Sequence, residues 1–275
     1  MNTHAENEKS KPIGIFDSGI GGLTVVKSLL YMLPKESLIY FGDTARLPYG
    51  TKSKKTLIDF SLQNVDFLLK KNVKLIVVAC NSASSAAIKE MQEYSPVPVI
   101  GVIEPGAISA LNATKSKYIG IIGTRGTVQS GAYYRTLITM DSNVKILQQA
   151  CPLLVPLIEE GWLFHQSTKN ILSEYLVPFK NEKLIDVILL GCTHYPLLKH
   201  MIKEELPNVE IVDSASATSV IVEKYLQDNS LLNPIFENKI EEYYLSDITE
   251  NFITLASEFL GKSIADKVKL YKNDN

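Results

Sequence analysis

The chain has 275 residues, 45% hydrophobic and 21% charged, and its formal net charge of −2 comes with no long basic run, which excludes the electrostatic footprint of a nucleic-acid partner. The first dozen residues are polar and lack the apolar core of a signal peptide, and no apolar run approaches the ~20 residues of a membrane span, so the expectation is a cytoplasmic protein with one large or, better, two modest cores. Three cysteines, Cys80, Cys151 and Cys192, are an odd number for a reducing compartment, which argues against a disulfide framework and leaves reactive or buried thiols.

Residues 1–11 read as a disordered leader. The strand Pro12–Phe16 follows, ends in Asp17-Ser18-Gly19-Ile20-Gly21-Gly22 and leads to a helix that runs to about Met32. Gly19, Gly21 and Gly22 lack the G-x-G-x-x-G spacing and no P-loop lysine follows, so this is not a nucleotide signature. The loop instead offers backbone N–H groups near a helix start, where an anion is stabilised. Leu38–Phe41 is a second strand, and Gly42–Gly50 is turn-rich and too polar for a core. A long amphipathic helix is predicted over Lys54–Lys70, with Lys52–Lys55 as its solvated start. The strand Leu75–Ala79 then stops at Cys80 and turns into Asn81-Ser82-Ala83, small polar residues that open a helix to about Tyr94. With the strand Val97–Val102, this rhythm predicts right-handed β-α-β units in a parallel sheet.

The pattern begins again after Glu104-Pro105-Gly106, with a helix to about Ala113 and the strand Tyr118–Ile122, which ends in the loop Gly123-Thr124-Arg125-Gly126. Val144–Gln149 reads as a strand, Cys151–Pro156 as an apolar segment bounded by proline, Leu157–Trp162 as loop, and Lys169–Val177 as a helix. The strand Asp186–Gly191 stops at Cys192-Thr193-His194-Tyr195-Pro196 and continues into a helix to about Leu206. The strand Val209–Val212, a helix capped by Asp213 and running through Leu226, a strand near Tyr243–Leu245, a helix Glu250–Leu260 and an extended Val268–Tyr271 complete the chain. Sixty-two residues separate Ser18 from Cys80 (80 − 18 = 62) and 68 separate Thr124 from Cys192 (192 − 124 = 68). This is a weak internal repeat in which a strand ending in a hydroxyl and glycine is followed by a strand ending in cysteine.

Ligands of open α/β sheets bind outside the carboxyl ends of the strands. Asp17, Ser18, Tyr49, Cys80, Asn81, Thr124, Cys192 and His194 all stand just past such ends, and a cleft between two facing domains collects them. Several of these residues have a plainer reading. Cys80 also suits a small buried apolar position, Asp17 a turn cap, and His194 a satisfied core residue. Cys151, without flanking hydroxyls or amides, reads as an inert buried thiol, and Glu159 first as a surface residue and second as a functional one. Zinc on Cys80, Cys192, His194 and Asp17 is the competing chemistry, but no C-x₂-C or H-x₃-H spacing supports it.

The segments Ile13–Thr24, Asp43–Gly50, Ala79–Ser84 and Gly191–Leu198 together resemble those of bacterial glutamate racemases, in the same order and over nearly the whole chain after the leader. One departure is Ser82, where the family usually has threonine; the hydroxyl is kept. The resemblance implies an α/β fold of two similar domains, each a mainly parallel sheet flanked by helices, related by pseudo-two-fold symmetry with the active site between them. Residues 12–103 plus 214–275 would form the first domain and 104–213 the second. The implied activity is interconversion of L- and D-glutamate for peptidoglycan synthesis, by an isomerase that needs no cofactor and no metal. Glutamate is the implied partner, with a homodimer as the assembly, no nucleic acid and no membrane.

Inversion through a planar carbanion needs a base on one face and an acid on the other. By resemblance Cys80 takes the α-proton from D-glutamate and Cys192 from L-glutamate, with Asp17 beside the first and His194 beside the second. A thiol must be partly ionised to act and desolvation works against that, so helix N-termini and a relay partner are required. The chain has three arginines, Arg46, Arg125 and Arg135. The substrate carboxylates are therefore expected on backbone N–H groups and on Ser18, Tyr49, Gly50, Asn81, Ser82 and Thr193, with Asp17 and His194 also in the binding set. The rival readings are a racemase for aspartate or a hydantoin, and a non-catalytic ligand-binding module, which has no use for paired thiols.

Overall fold

The computed structural model describes residues 3–235, 239–248 and 252–271. Thr3–Ser10 forms helix α1 where the sequence predicts a disordered leader. What holds its end is the buried Lys74, whose Nζ donates to Lys9 O at 2.7 Å, a cation at the negative end of a helix. The same ammonium reaches Glu36 Oε2 at 2.5 Å and Leu231 O at 2.9 Å, so three distant segments are clasped at one point.

The first half of the chain alternates through β1 (Ile13–Asp17), α2 (Leu23–Met32), β2 (Leu38–Gly42), α3 (Lys54–Lys70), β3 (Leu75–Val78), α4 (Asn81–Tyr94), β4 (Val99–Gly101) and α5 (Ile103–Ala113). The second continues through β5 (Tyr118–Gly123), α6 (Arg125–Ser130), α7 (Ala132–Met140), β6 (Lys145–Ala150), α8 (Leu154–Glu159), α9 (Gln166–Asn181), β7 (Val187–Gly191), α10 (Lys199–Glu205), β8 (Glu210–Asp213) and α11 (Ser214–Asp228). Then come β9 (Glu241–Leu245), α12 (Phe252–Leu260) and β10 (Val268–Leu270). Glu250, where the last helix was expected to begin, lies outside the described residues.

Strands β1, β2, β3 and β7 are buried along their whole length, as continuous Ile, Val and Leu runs require when helices cover both faces of a parallel sheet. Helix α3 starts where Ser53 Oγ accepts from Thr56 N–H at 3.2 Å, and α11 where Asp213 Oδ1 accepts from Ser216 N–H at 2.7 Å. Every described strand pairing is parallel. One sheet has the order β10-β9-β2-β1-β3-β4 and the other β6-β5-β7-β8. The runs β2-β1-β3-β4 and β6-β5-β7-β8 share one order, so the repeat seen in hydroxyl-to-cysteine spacing is a repeat of topology. The tail strands β9 and β10 return to the first sheet beside β2.

Three stretches differ from expectation. The loop after Thr124 is instead α6, which Thr124 caps, and Gly131 at φ +63° turns it directly into α7, a helix the sequence reading omitted; only glycine adopts that conformation without strain. Residues 154–159, expected as a proline-bounded segment and loop, form α8, because Pro156 lies in the first turn, where no helical hydrogen bond is lost. Helix α9 starts at Gln166 and runs past Pro178 to Asn181, the proline falling in its last turn.

One continuous apolar core joins the halves: Ile13, Ile15, Leu23 and Val26 of the first pack in it with Leu190, Tyr195 and Leu198 of the second and with Val222 and Leu226 of α11. The outer face of the first sheet packs on α3 and α4, that of the second on α5 and α7. The two parallel sheets thereby set their cysteine junctions face to face. Among the described residues no helix is long and apolar enough to cross a membrane.

Candidate active site

Strands β1, β3 and β7 end at Asp17, Val78 and Gly191, and the residues just beyond them converge on a cavity of about 120 Å³. Ser18, Tyr49, Gly50, Cys80, Asn81 and Ser82 line it from the first sheet, and Thr124, Cys192, Thr193 and His194 from the second. All the residues named from sequence as lining a cleft are therefore brought together except Asp17, which stands behind the wall.

Cys80 caps α4: its sulfur accepts from Ala83 N–H at 3.5 Å, and its thiol lies 3.6 Å from Ser18 Oγ. Burial, and after it the Asp17 carboxylate, push this thiol up to about 12, although the Ala83 N–H and Ser18 pull the other way. Asp17 is fully buried. Its Oδ2 accepts from Gly19 N–H at 3.1 Å and Gly22 N–H at 2.9 Å, and its Oδ1 from Thr193 Oγ1 at 3.5 Å. Burial raises its pKa, and the facing His194 and the two glycine N–H groups oppose that rise. Asp17 thus holds the glycine turn as a cap and faces the second half of the site as well.

Cys192 and His194 follow β7, with His194 Nδ1 3.8 Å from the sulfur. His194 Nε2 lies 2.9 Å from Glu159 Oε1, so Glu159, expected at the surface, is a partly buried partner of the site. The functional reading, second in the sequence because α8, which carries it, looks like loop there, is the one the structure favours. Burial alone would lower the His194 pKa, but the bonds to Cys192 and Glu159 outweigh it and lift it from 6.5 to about 10.

A group whose folded pKa is raised stabilises the fold fully below its unfolded pKa and loses that contribution as pH climbs through the folded one. The stability carried by the His194 imidazolium is therefore complete below about pH 6.5 and gone once pH has passed through about 10. Over this window the Tm of the wild-type protein is expected to fall more steeply than that of His194→Asn. Parallel Tm profiles for the two proteins would assign a neutral imidazole.

The Tyr49 hydroxyl is committed inside the first half, donating to the buried Asp43 and accepting from Asn64 Nδ2 at 3.1 Å, which leaves its ring and backbone for the cavity wall. Ser82 Oγ meets Thr124 Oγ1 at 3.0 Å across the halves, and a Cβ at Gly50 would fall 2.9 Å from Thr124 Cβ. Cys151 is fully buried, as expected, and also forms part of the cavity wall. Arg125, which sequence reasoning set aside, is exposed at the cavity and, among the described residues, is the only Lys, Arg, Asp or Glu lining it. Its position directly after Thr124, matched to the loop after Ser18 in the repeat, was the available signal. Among the described residues no group of three or more His, Cys, Asp and Glu side chains is arranged to hold a metal ion.

Residues 13–221 match the family model described as Asp/Glu/Hydantoin racemase. The chain belongs to that family. Members of the Asp/Glu/Hydantoin racemase family similar to it include the glutamate racemase of Geobacter metallireducens, 46% identical over 93% of this chain and 95% of the relative. Among solved structures, glutamate racemase from Bacillus anthracis superposes with a TM-score of 0.92 at 38% identity, covering 96% of this chain and 98% of that one. The enzyme from Francisella tularensis, solved in complex with D-glutamate, superposes with a TM-score of 0.90 at 37% identity, over 97% and 99% of the two chains. This racemase-family chain is an isomerase of two mainly parallel sheets, and the fold expected from sequence is the one observed.

Proposed function

We propose that this racemase interconverts L- and D-glutamate without a cofactor, by passing the α-proton between Cys80 and Cys192 on opposite faces of the substrate carbon. The observation that carries this is the pair of thiols lining one small cavity, each just past the third strand of a shared strand order. The D-glutamate complex of the Francisella relative supports the choice of substrate.

The charge arrangement supports a resting state set for one direction. A Cys80 pushed up to about 12 is a thiol at neutral pH, an acid ready to deliver a proton. A His194 lifted to about 10 is an imidazolium, which places a positive charge and a donor beside the Cys192 sulfur. Cys192 then acts as base toward L-glutamate and Cys80 as acid, and the carbanion between them is protonated from the other face. The reverse direction starts after one proton has crossed. Ser18, Asn81, Ser82 and Thr193 offer hydroxyl and amide groups to the substrate carboxylates, Tyr49 and Gly50 their backbone, and Asp17 and His194 stand behind the thiols. In the cell the product supplies D-glutamate to peptidoglycan synthesis, in the cytoplasm, from a homodimer.

Circular dichroism of L-glutamate and L-aspartate, each incubated with protein freed of metal and pyridoxal phosphate, tests the proposal. The glutamate signal should decay to zero and the aspartate signal should persist. Decay with aspartate instead would move the chain to another substrate of its family, and no decay with either would leave a binding module.

A further inference from the structure

Tyr133, in the first turn of α7, is fully buried and has so far played no part. Its hydroxyl accepts from Asn81 Nδ2 at 2.8 Å. Asn81 directly follows Cys80, lines the cavity and is 2% exposed. Its Nδ2 also lies 3.5 Å from Ser214 Oγ, whereas its Oδ1 has no hydrogen-bond partner in the protein. The Tyr133 ring meanwhile lies against Gly191, where an added Cβ would come within 3.1 Å of Cε2, and Gly191 directly precedes Cys192. One side chain therefore touches the chain neighbour of each thiol, and it comes from neither junction.

We propose that Tyr133 is a positioning residue for the racemisation, a strut that orients the Asn81 amide and sets the spacing between the two cysteine junctions. This rests on the two-thiol proposal above. A primary amide has a donor side and an acceptor side, and a group that holds one of them turns the other toward the substrate. The Tyr133 hydroxyl holds Nδ2 and leaves Oδ1, a buried acceptor that is costly to leave unmet, for the bound molecule. The ring acts on the other junction. Glycine at position 191 lets it approach the backbone that carries Cys192, and proton transfer across a carbon tolerates little change in that spacing.

Tyr133→Phe removes the hydroxyl and keeps the ring. Its KM for both enantiomers is expected to rise about tenfold, roughly one hydrogen bond's worth, while kcat changes less. Tyr133→Leu removes the ring contact as well and is expected to lower kcat in both directions. A merely structural tyrosine would give similar losses, so the deciding readout is a double-mutant cycle with Asn81→Ala. In the Asn81→Ala background Tyr133→Phe should have no further effect on kcat/KM. If Asn81→Ala is too slow to assay, the rise in Tm on adding glutamate, read in the same set of proteins, completes the cycle. A Tyr133→Phe protein with wild-type KM, or an undiminished effect of Tyr133→Phe in the Asn81→Ala background, would overturn the proposal. Failure of the two-thiol reading shows separately, as an active Cys80→Ala protein.

Discussion

Cys80→Ala is expected to abolish racemisation in both directions, with kcat/KM lower by at least about 10³, toward the upper end of what one acid or base group contributes. Both directions fail together because each uses Cys80 once, as acid from L-glutamate and as base from D-glutamate. Exchange with solvent separates the half-reactions. In D₂O the wild-type protein, given L-glutamate, should place deuterium at Cα of the D-product while unreacted L-glutamate stays largely protiated early on. The proton taken by Cys192 stays on its own face as Cys80 delivers a solvent-derived deuteron from the other. In Cys80→Ala, Cys192 keeps its base role, so slow exchange of the α-hydrogen of L-glutamate can outlast racemisation; Cys192→Ala should do the same with D-glutamate. Early protium in the D-product, or an active Cys80→Ala protein, would refute opposed thiols.

What was legible in the sequence is what local chemistry writes. An apolar run that stops at cysteine and continues in small polar residues marks a strand end and a helix start, and both junctions fall where expected. Tyr133 escaped, and Glu159 read first as a surface residue, because neither carries a strong local signal. Glu159 acquires its role through α8, disguised by Pro152 and Pro156, and Tyr133 through contacts with Asn81 and Gly191 that are distant in sequence. Tyr49 was legible as a wall residue but not in the direction of its hydroxyl, which an acid six residues earlier claims. The clasp of Lys74 on α1 was hidden for the same reason: a polar leader looks disordered until the buried cation at its end is known.

Gly21→Ala should cost activity out of proportion to the single methyl it adds. Gly21 lies in the turn after β1, yet what faces it belongs to the other half. A Cβ built there would fall 2.4 Å from His194 Nδ1, 2.4 Å from Thr193 Oγ1 and 2.5 Å from His194 Cε1. The space cannot open toward solvent, because Thr24 Oγ1 ties the turn to Thr193 O at 3.1 Å and Asp17 Oδ2 holds it through Gly22 N–H at 2.9 Å. His194 must therefore shift, and with it the Nδ1 that faces the Cys192 sulfur. A displacement near 1 Å in such a group lowers turnover by about 10², whereas overpacking alone costs about 1–3 kcal/mol of stability. Gly120→Ala is the matched control, since its Cβ would press on Ile188 Cδ1 at 2.4 Å and Phe179 Cδ1 at 2.7 Å, away from the cavity. Both variants should lose comparable stability by denaturant titration, and only Gly21→Ala should lose kcat. Equal kcat in the two proteins would mean that the position of the imidazole does not limit proton transfer.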